Sequence, residues 1–238
     1  FDDYQAALNA MPGIGACIVA TPISTHYAIV KACLEADKHV LVEKPLAKTV
    51  QEAQELVVLA AARDKVLRTD LTFLEHPLVK PLDRVRVSKL SWEGPESPRS
   101  SDGILWTWGP HPVSIMLYSR QGQRPDKAVW HYVHGDADRN CEVTYHFSDG
   151  THVNMALHWG PQFGRSSERR VTWRDPITGK RSGRSLKEVP DPEPLAQVVK
   201  HFLDAVKKHD TTPDWIGLKT VEVLEWTEQE LAKQNSSG

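Results

Sequence analysis

Only three of the 238 residues are cysteine, and only three are methionine. Cys17, Cys33 and Cys141 are odd in number and scattered, with no C-x-x-C spacing. That pattern argues against a disulfide framework or a cysteine zinc site, and a reducing, cytoplasmic compartment is the expectation. Neither sign of charge dominates: 29 Lys and Arg stand against 31 Asp and Glu. No basic surplus exists to neutralise phosphates, so neither a nucleic acid nor an anionic membrane is an expected partner. No apolar run approaches the ~20 residues of a membrane-spanning helix, and no signal-peptide pattern is present. The densest basic stretch, from Arg165 to Arg184, is broken by Glu168 and Asp175 and reads as a solvated hairpin. His134, Asp136 and Asp138 cluster, but Asp-rich turns of this kind are far commoner than metal sites, and no metal is expected.

What remains is an ordinary globular composition, 40% hydrophobic and 25% charged, long enough for one large domain or two modest ones. The first residue is Phe1, which suggests a chain that begins inside a longer reading frame or has been processed.

Over the first seventy residues, helical and strand patterns alternate. Asp2 to Met11 reads as a short helix stopped by Pro12-Gly13. Ala16 to Ala20 is apolar throughout, as expected of a strand covered on both faces. From Thr25 to Ala36 a helical stripe of Ala28, Ile29, Ala32, Cys33 and Ala36 is expected, and His39 to Val42 is the next strand. Thr49 and Glu52 form a capping box, opening a helix that turns Ala53, Leu56, Val57 and Ala60 inward. Val66 to Thr69 is a third strand. Strand–helix–strand alternation at this spacing predicts a parallel, doubly wound sheet.

Beyond residue 70 the pattern changes. Val85 to Leu90 and Val143 to Phe147 alternate with period two. Ser148-Asp149-Gly150 is a hairpin turn into Thr151 to Trp159, and Pro176 to Gly179 marks a second hairpin. An open, mainly antiparallel sheet follows, interrupted by a helix from about Gly109 to Tyr118. Two helices close the chain, striped by Leu195, Val198, Val199, Phe202 and Val206, then by Leu218, Val221, Leu224 and Leu231. The domain reading is 1–71 and 72–238.

A parallel sheet of the first kind holds the pyrophosphate of a dinucleotide on a Gly-rich turn after its first strand. No G-x-G-x-x-G occurs in the chain, and Gly13-Ile14-Gly15 precedes a strand instead of opening a helix. A strand as apolar as Ala16 to Ala20 should have a neighbour on each side; left bare, it would be an aggregating edge. A strand–helix–strand unit upstream of Phe1 is therefore expected.

Three polar groups could carry chemistry. The turn Ala20-Thr21-Pro22-Ile23-Ser24-Thr25-His26 lies at the carboxyl end of the sheet, where ligands bind in open α/β folds; Thr25 could equally be a helix N-cap. Glu43-Lys44-Pro45 lies at the same edge one strand later. It is either a solvated strand end or a placed amine able to hydrogen-bond a substrate hydroxyl, aimed by the proline. Thr107 and His111 stand four apart in L-W-T-W-G-P-H. His111 is either a structural residue or a general acid–base group. Trp106 and Trp108 flank it and are candidates for stacking on a carbohydrate.

The order A-T-P-x-x-x-H, H-V-L-V-E-K-P-L-A, T-x-x-E-A-x-x-L, L-W-x-x-x-P-H-x-x-S-I, E-P-L and H-F-L-x-x-V closely resembles the Gfo/Idh/MocA family of NAD(P)-dependent oxidoreductases, from about Tyr4 to Leu231. The resemblance implies an α/β fold, here an incomplete Rossmann-type parallel sheet followed by an α+β domain with the open sheet. It implies NAD or NADP against Ala20, Thr21, Pro22, His26, Glu43, Lys44 and Pro45, and a Lys44–Pro45 peptide that is often cis. Lys44 and His111 would serve the reacting hydroxyl of a sugar or nucleotide sugar, and the open sheet would form a homo-oligomer. Relatives usually carry Asp where this chain has Thr107. A hydroxyl cannot stabilise a charged imidazole as a carboxylate does, so a non-catalytic sugar-binding or assembly relative is the alternative.

Overall fold

The computed structural model describes residues 3–95, 102–131, 139–163, 167–175, 177–187 and 193–235. The fold is α/β, with a parallel Rossmann-like sheet first and a mixed, largely antiparallel sheet second. The chain divides into two compact units: Phe1–Thr72 with Pro194–Glu222, and Phe73–Glu193 with Val223–Gly238. Sequence reading draws a single boundary after residue 71; the compact units also return residues 194–222 to the first. No helix among the described residues is long and apolar enough to cross a membrane.

In the first unit, α1 (Tyr4–Ala10) is capped by the Asp3 carboxylate, which accepts from the amides of Gln5 and Ala6. Strands β1 (Ala16–Val19), β2 (His39–Glu43) and β3 (Leu67–Asp70) run parallel in that order, pairing Val19 with Val42 and Glu43 with Asp70. Helix α2 (Ile23–Glu35) joins β1 to β2, and α3 (Val50–Ala62) joins β2 to β3, with the Thr49/Glu52 capping box formed as expected. The α2 stripe is a correction. Ile23, His26, Val30, Cys33 and Leu34 are buried while Ala28 is exposed, because the larger side chains decide which face turns to the sheet. Thr25 is likewise no cap: it lies inside α2, and its hydroxyl donates to the Pro22 carbonyl at 2.7 Å. Nor is β1 covered on both faces. Among the described residues it is an edge strand, and Ile18 is 62% exposed.

Helix α6 (Pro194–Lys208) packs Val198, Phe202 and Ala205 on Leu41 and Val66, with Val199, Val206 and Ala16 around them. Leu195, expected on that stripe, is 44% exposed. Arg68 then ties the following turn to β3, donating to the carbonyls of Thr212 and Asp210 and lying 3.5 Å from the Asp210 carboxylate. Asp214, 6% exposed, precedes α7 (Trp215–Asn235). Its carboxylate accepts from the Thr69 amide at 2.7 Å, the Thr69 hydroxyl at 2.5 Å and the Gly217 amide at 3.2 Å. One side chain thus caps the helix and fastens it to the sheet.

The second unit is a six-stranded sheet ordered β5-β6-β7-β4-β8-β9, from β4 (Arg86–Gly94), β5 (Lys127–His131), β6 (Asn140–His146), β7 (His152–Trp159), β8 (Glu168–Arg174) and β9 (Arg181–Ser185). Only β4 and β7 pair in parallel. Both expected hairpins are present, turning at Gly150 (φ +77°) and Gly179 (φ +69°), a backbone region glycine adopts without steric cost. One face carries Leu90, Trp92, Val143, Tyr145, Val153, Leu157 and Val171, all buried. The other is polar and internally hydrogen-bonded: His131 to Thr144 at 2.6 Å, Thr144 to Asn154 at 2.8 Å, His158 to Glu142 at 3.0 Å. The helix expected from Gly109 begins earlier, as α4 (Gly103–Trp108), and continues as α5 (Pro110–Ser119).

Candidate active site

In the first unit the candidate residues line up along one sheet edge because parallel strands end side by side. Thr21 and Pro22 follow β1, Glu43 ends β2 with Lys44 behind it, and Asp70 ends β3. Val40, Leu41 and Val42 are all within 1% of full burial, which anchors the strand that carries the Glu43-Lys44-Pro45 turn. The Lys44–Pro45 peptide is cis.

His26 is 1% exposed; its Nδ1 lies 2.8 Å from the Pro45 carbonyl oxygen and its Nε2 2.9 Å from that of Thr21. It therefore braces the turn after β1 against the turn after β2. Ala20 is exposed at the strand end, and the Thr21 hydroxyl lies 2.8 Å from that of Thr25.

Asp70 was not anticipated. It is 5% exposed, stands opposite Glu43 and accepts from the Thr72 hydroxyl at 2.5 Å. Burial pushes its carboxyl above the usual carboxylate range against the pull of the Thr72 hydrogen bond, and the Glu43 charge adds to the rise. The available signal was that the third strand must end at the same edge as the first two, and it ends in Thr69-Asp70.

In the second unit, α4 and α5 meet at Gly109, whose φ of −55° and ψ of −30° are helical. Gly109 donates to Leu105 at 3.0 Å and Val113 to Gly109 at 3.0 Å, so the turn from Thr107 to His111 is continuous. Pro110 has no amide to satisfy there. His111 meets Phe73 edge-on, ring centroids 4.8 Å apart, and Phe73 meets Trp92 at 5.7 Å. Thr107 is buried at 8% exposure. Of the two stacking candidates, Trp106 is 3% exposed and its indole N–H donates to Glu228 at 2.9 Å. Its ring is packed and offers no face to a sugar. Trp108 is half-buried, edge-on to Trp159 at 5.5 Å, and keeps part of its surface open.

One further residue departs from the sequence reading. Arg169, expected in a solvated hairpin, lies opposite Trp92 across β4–β8 and is half-buried, with its guanidinium carbon 5.4 Å from the centre of the Phe73 ring. Among the described residues no three metal-ligating side chains come together; His134, Asp136 and Asp138 lie outside the described residues.

Comparison with known proteins supports the fold. Residues 1–71 match the family model described as "Oxidoreductase family, NAD-binding Rossmann fold" (GFO_IDH_MocA). The putative oxidoreductase YceM of Salmonella typhimurium is 24% identical over 90% of this chain and 76% of its own length. The dTDP-3,4-didehydro-2,6-dideoxy-alpha-D-glucose 3-reductase of Saccharopolyspora spinosa is 42% identical over 73 residues, 31% of this chain and 22% of that protein. The crystal structure of GenD2 from gentamicin A biosynthesis in complex with NAD superposes with a TM-score of 0.81 at 19% identity, over 98% of this chain and 80% of that one. The chain therefore has the fold of the Gfo/Idh/MocA oxidoreductases, with the family's NAD-binding model matched over residues 1–71.

Proposed function

We propose that the chain is the Lys44- and His111-bearing part of an NAD(P)-dependent oxidoreductase that interconverts a hydroxyl and a keto group on a sugar or nucleotide sugar. The observation that carries this reading is the polar row Thr21, Glu43, Lys44 and Asp70 along the carboxyl edge of the parallel sheet, within the segment that matches the NAD-binding family model. The similarity to a dTDP-sugar reductase and to the NAD complex of GenD2 supports the reaction class.

These residues fit the nicotinamide end of such a cofactor: the carboxylates of Glu43 and Asp70 can accept from ribose hydroxyls, and the Thr21 hydroxyl can do either. When bound, the cofactor supplies or takes the hydride. Lys44 is assigned a hydrogen bond to the reacting oxygen, and His111 the proton that the oxygen loses or regains. His26 holds the two cofactor-edge turns. No Gly-rich pyrophosphate turn occurs in the 238 residues, and weak NAD(H) binding by these residues alone is part of the proposal. So are a cytoplasmic location, in keeping with three free thiols, and a homo-oligomer through the polar face of the six-stranded sheet.

The test is hydride transfer between NAD(H) or NADP(H) and a panel of sugars and nucleotide sugars. It is run on this chain and on a version with a Gly-rich cofactor segment fused ahead of Phe1. Lys44→Ala and His111→Ala should each lower kcat by about 10²–10⁴-fold, the usual worth of a placed acid–base group. Turnover indifferent to both would sink the assignment. Thr107 favours a second reading, a sugar-binding relative without turnover. Silence in every version, Thr107→Asp included, would favour it.

A further inference from the structure

We infer that Arg169 sets the charge of the substrate, receiving a carboxylate or phosphate group on the molecule that reaches His111. This rests on the oxidoreductase reading above, and narrows its substrate to an anionic sugar.

Three observations support it. The first is register. Along β8, Val171 points to the buried face and Arg170 to solvent, so the period-two alternation returns Arg169 to the inner face, opposite Trp92. A position framed by Leu90, Trp92 and Val171 would ordinarily hold an apolar side chain.

The second is that the charge is uncompensated. More exposed arginines have carboxylate partners: Arg63 with Asp37, Arg86 with Asp149, Arg170 with Glu168. Arg169, half-buried, has no carboxylate or carbonyl in ion-pair or hydrogen-bond range among the described residues. Burial alone pulls its guanidinium below the usual arginine range, with no opposing charge to restore it. Buried cations are normally paired, because an unpaired one forfeits its hydration. A ring at 5.4 Å replaces little of that hydration.

The third is the neighbourhood. Trp92, 2% exposed, has an indole N–H with no acceptor among the described residues. Two donors thus share one patch that offers them no acceptor. Phe73 is the common neighbour, 4.8 Å from the His111 ring and 5.4 Å from Arg169. An acceptor-rich anion held by the planar guanidinium fork would satisfy the patch, and carboxylate and phosphate are the groups that fork matches.

The experiment is calorimetric titration of the intact chain with D-glucose, D-glucuronate, glucose 6-phosphate and UDP-glucose. At least one anionic probe should bind more tightly than glucose, and which one does so distinguishes carboxylate, monophosphate and diphosphate sources. Arg169→Gln should weaken that probe tenfold or more and leave glucose unchanged, while Arg169→Lys retains part of the affinity. Because it removes an unpaired buried charge, Arg169→Gln should melt no lower than the wild type. Preference for no anion, or anion affinity unchanged in Arg169→Gln, overturns the inference. So does a fall in melting temperature with equal loss of neutral and anionic binding. Anion binding that depends on Arg169, with no hydride transfer by this chain or by the version carrying the Gly-rich segment, would instead leave the anion receptor standing and remove the oxidoreductase reading.

Discussion

Replacing Asp214 by alanine removes a side chain that both caps α7 and fastens it to β3. The carboxylate accepts two bonds from Thr69 and one from Gly217, at 2.7, 2.5 and 3.2 Å. Bonds to a charged acceptor are worth ~1.5–3 kcal/mol each. Burying the charge works the other way and pushes the carboxyl above its ordinary range, so the side chain contributes most where it is protonated. In the variant the charge and its cost are both gone, but the Thr69 amide is left buried without a partner, at ~1–3 kcal/mol. The helix also loses its cap, at ~1 kcal/mol. A net loss of about 3 kcal/mol follows, or roughly 6–12 °C in Tm at ~2–4 °C per kcal/mol for a chain of this size.

The pH dependence has a definite sign. A carboxyl whose folded pKa is raised binds its proton more readily in the folded state. Its contribution is therefore complete below the unfolded value, and stability drains away as pH climbs from there through the raised folded value. Asp214→Asn should keep part of the bonding and abolish that slope. Thermal melts from acid to neutral pH, for wild type and both variants, test each step. An Asp214→Ala protein within ~1 kcal/mol of wild type at acid pH, where the contribution is complete, would refute the accounting.

Gly217→Ala ought to improve a helix by ~1 kcal/mol on propensity alone, yet a Cβ there would sit 2.4 Å from the Thr69 hydroxyl and 2.5 Å from the Asp214 carboxylate. Chemical denaturation should show destabilisation, and a stabilised variant would contradict the close approach. At the Ser148-Asp149-Gly150 hairpin, hydrogen bonds from the Thr151 hydroxyl and amide, with the charges of Arg86 and Arg120, hold the Asp149 carboxyl down to about 2 from 3.8. That contribution is present above the unfolded value and lost as pH falls towards about 2, so Asp149→Asn should flatten the acid limb of a Tm–pH curve; an unchanged limb would show the turn to be irrelevant there.

Local rules were legible in the sequence. The Thr49/Glu52 capping box and both hairpin glycines follow from residues within a few positions of one another, and the parallel sheet from the alternation of strands with helices. What escaped needed the third dimension. The α2 stripe slipped because Ala28 and Val30 are both apolar and only the packing partner chooses between them. Arg169 hid inside a basic run whose composition says solvent, whereas the register of a single strand says interior. Asp214 is invisible to pattern reading, since an acidic residue before a helix is common and only burial makes it unusual, whereas Asp70 could have been reached by following the third strand to the shared edge. Of the candidate site, the Glu43-Lys44-Pro45 turn and His111 were proposed from their motifs. Trp106 was misjudged because a tryptophan beside a candidate site gives no sign of whether its face is open.

The return of Pro194–Glu222 to the first unit has a consequence for synthesis. Leu41 and Val66 leave the ribosome early, but the side chains that cover them, Val198 and Phe202, are translated only after the entire six-stranded sheet. The nascent parallel sheet must therefore wait with part of its apolar surface bare, through the slowest kind of closure, one between distant segments. The second unit waits as well, since its Tyr145 hydroxyl is partnered by Thr227, which is translated later still. Codon usage or chaperone supply over the stretch before Pro194 should accordingly govern yield more than any substitution in the early strands.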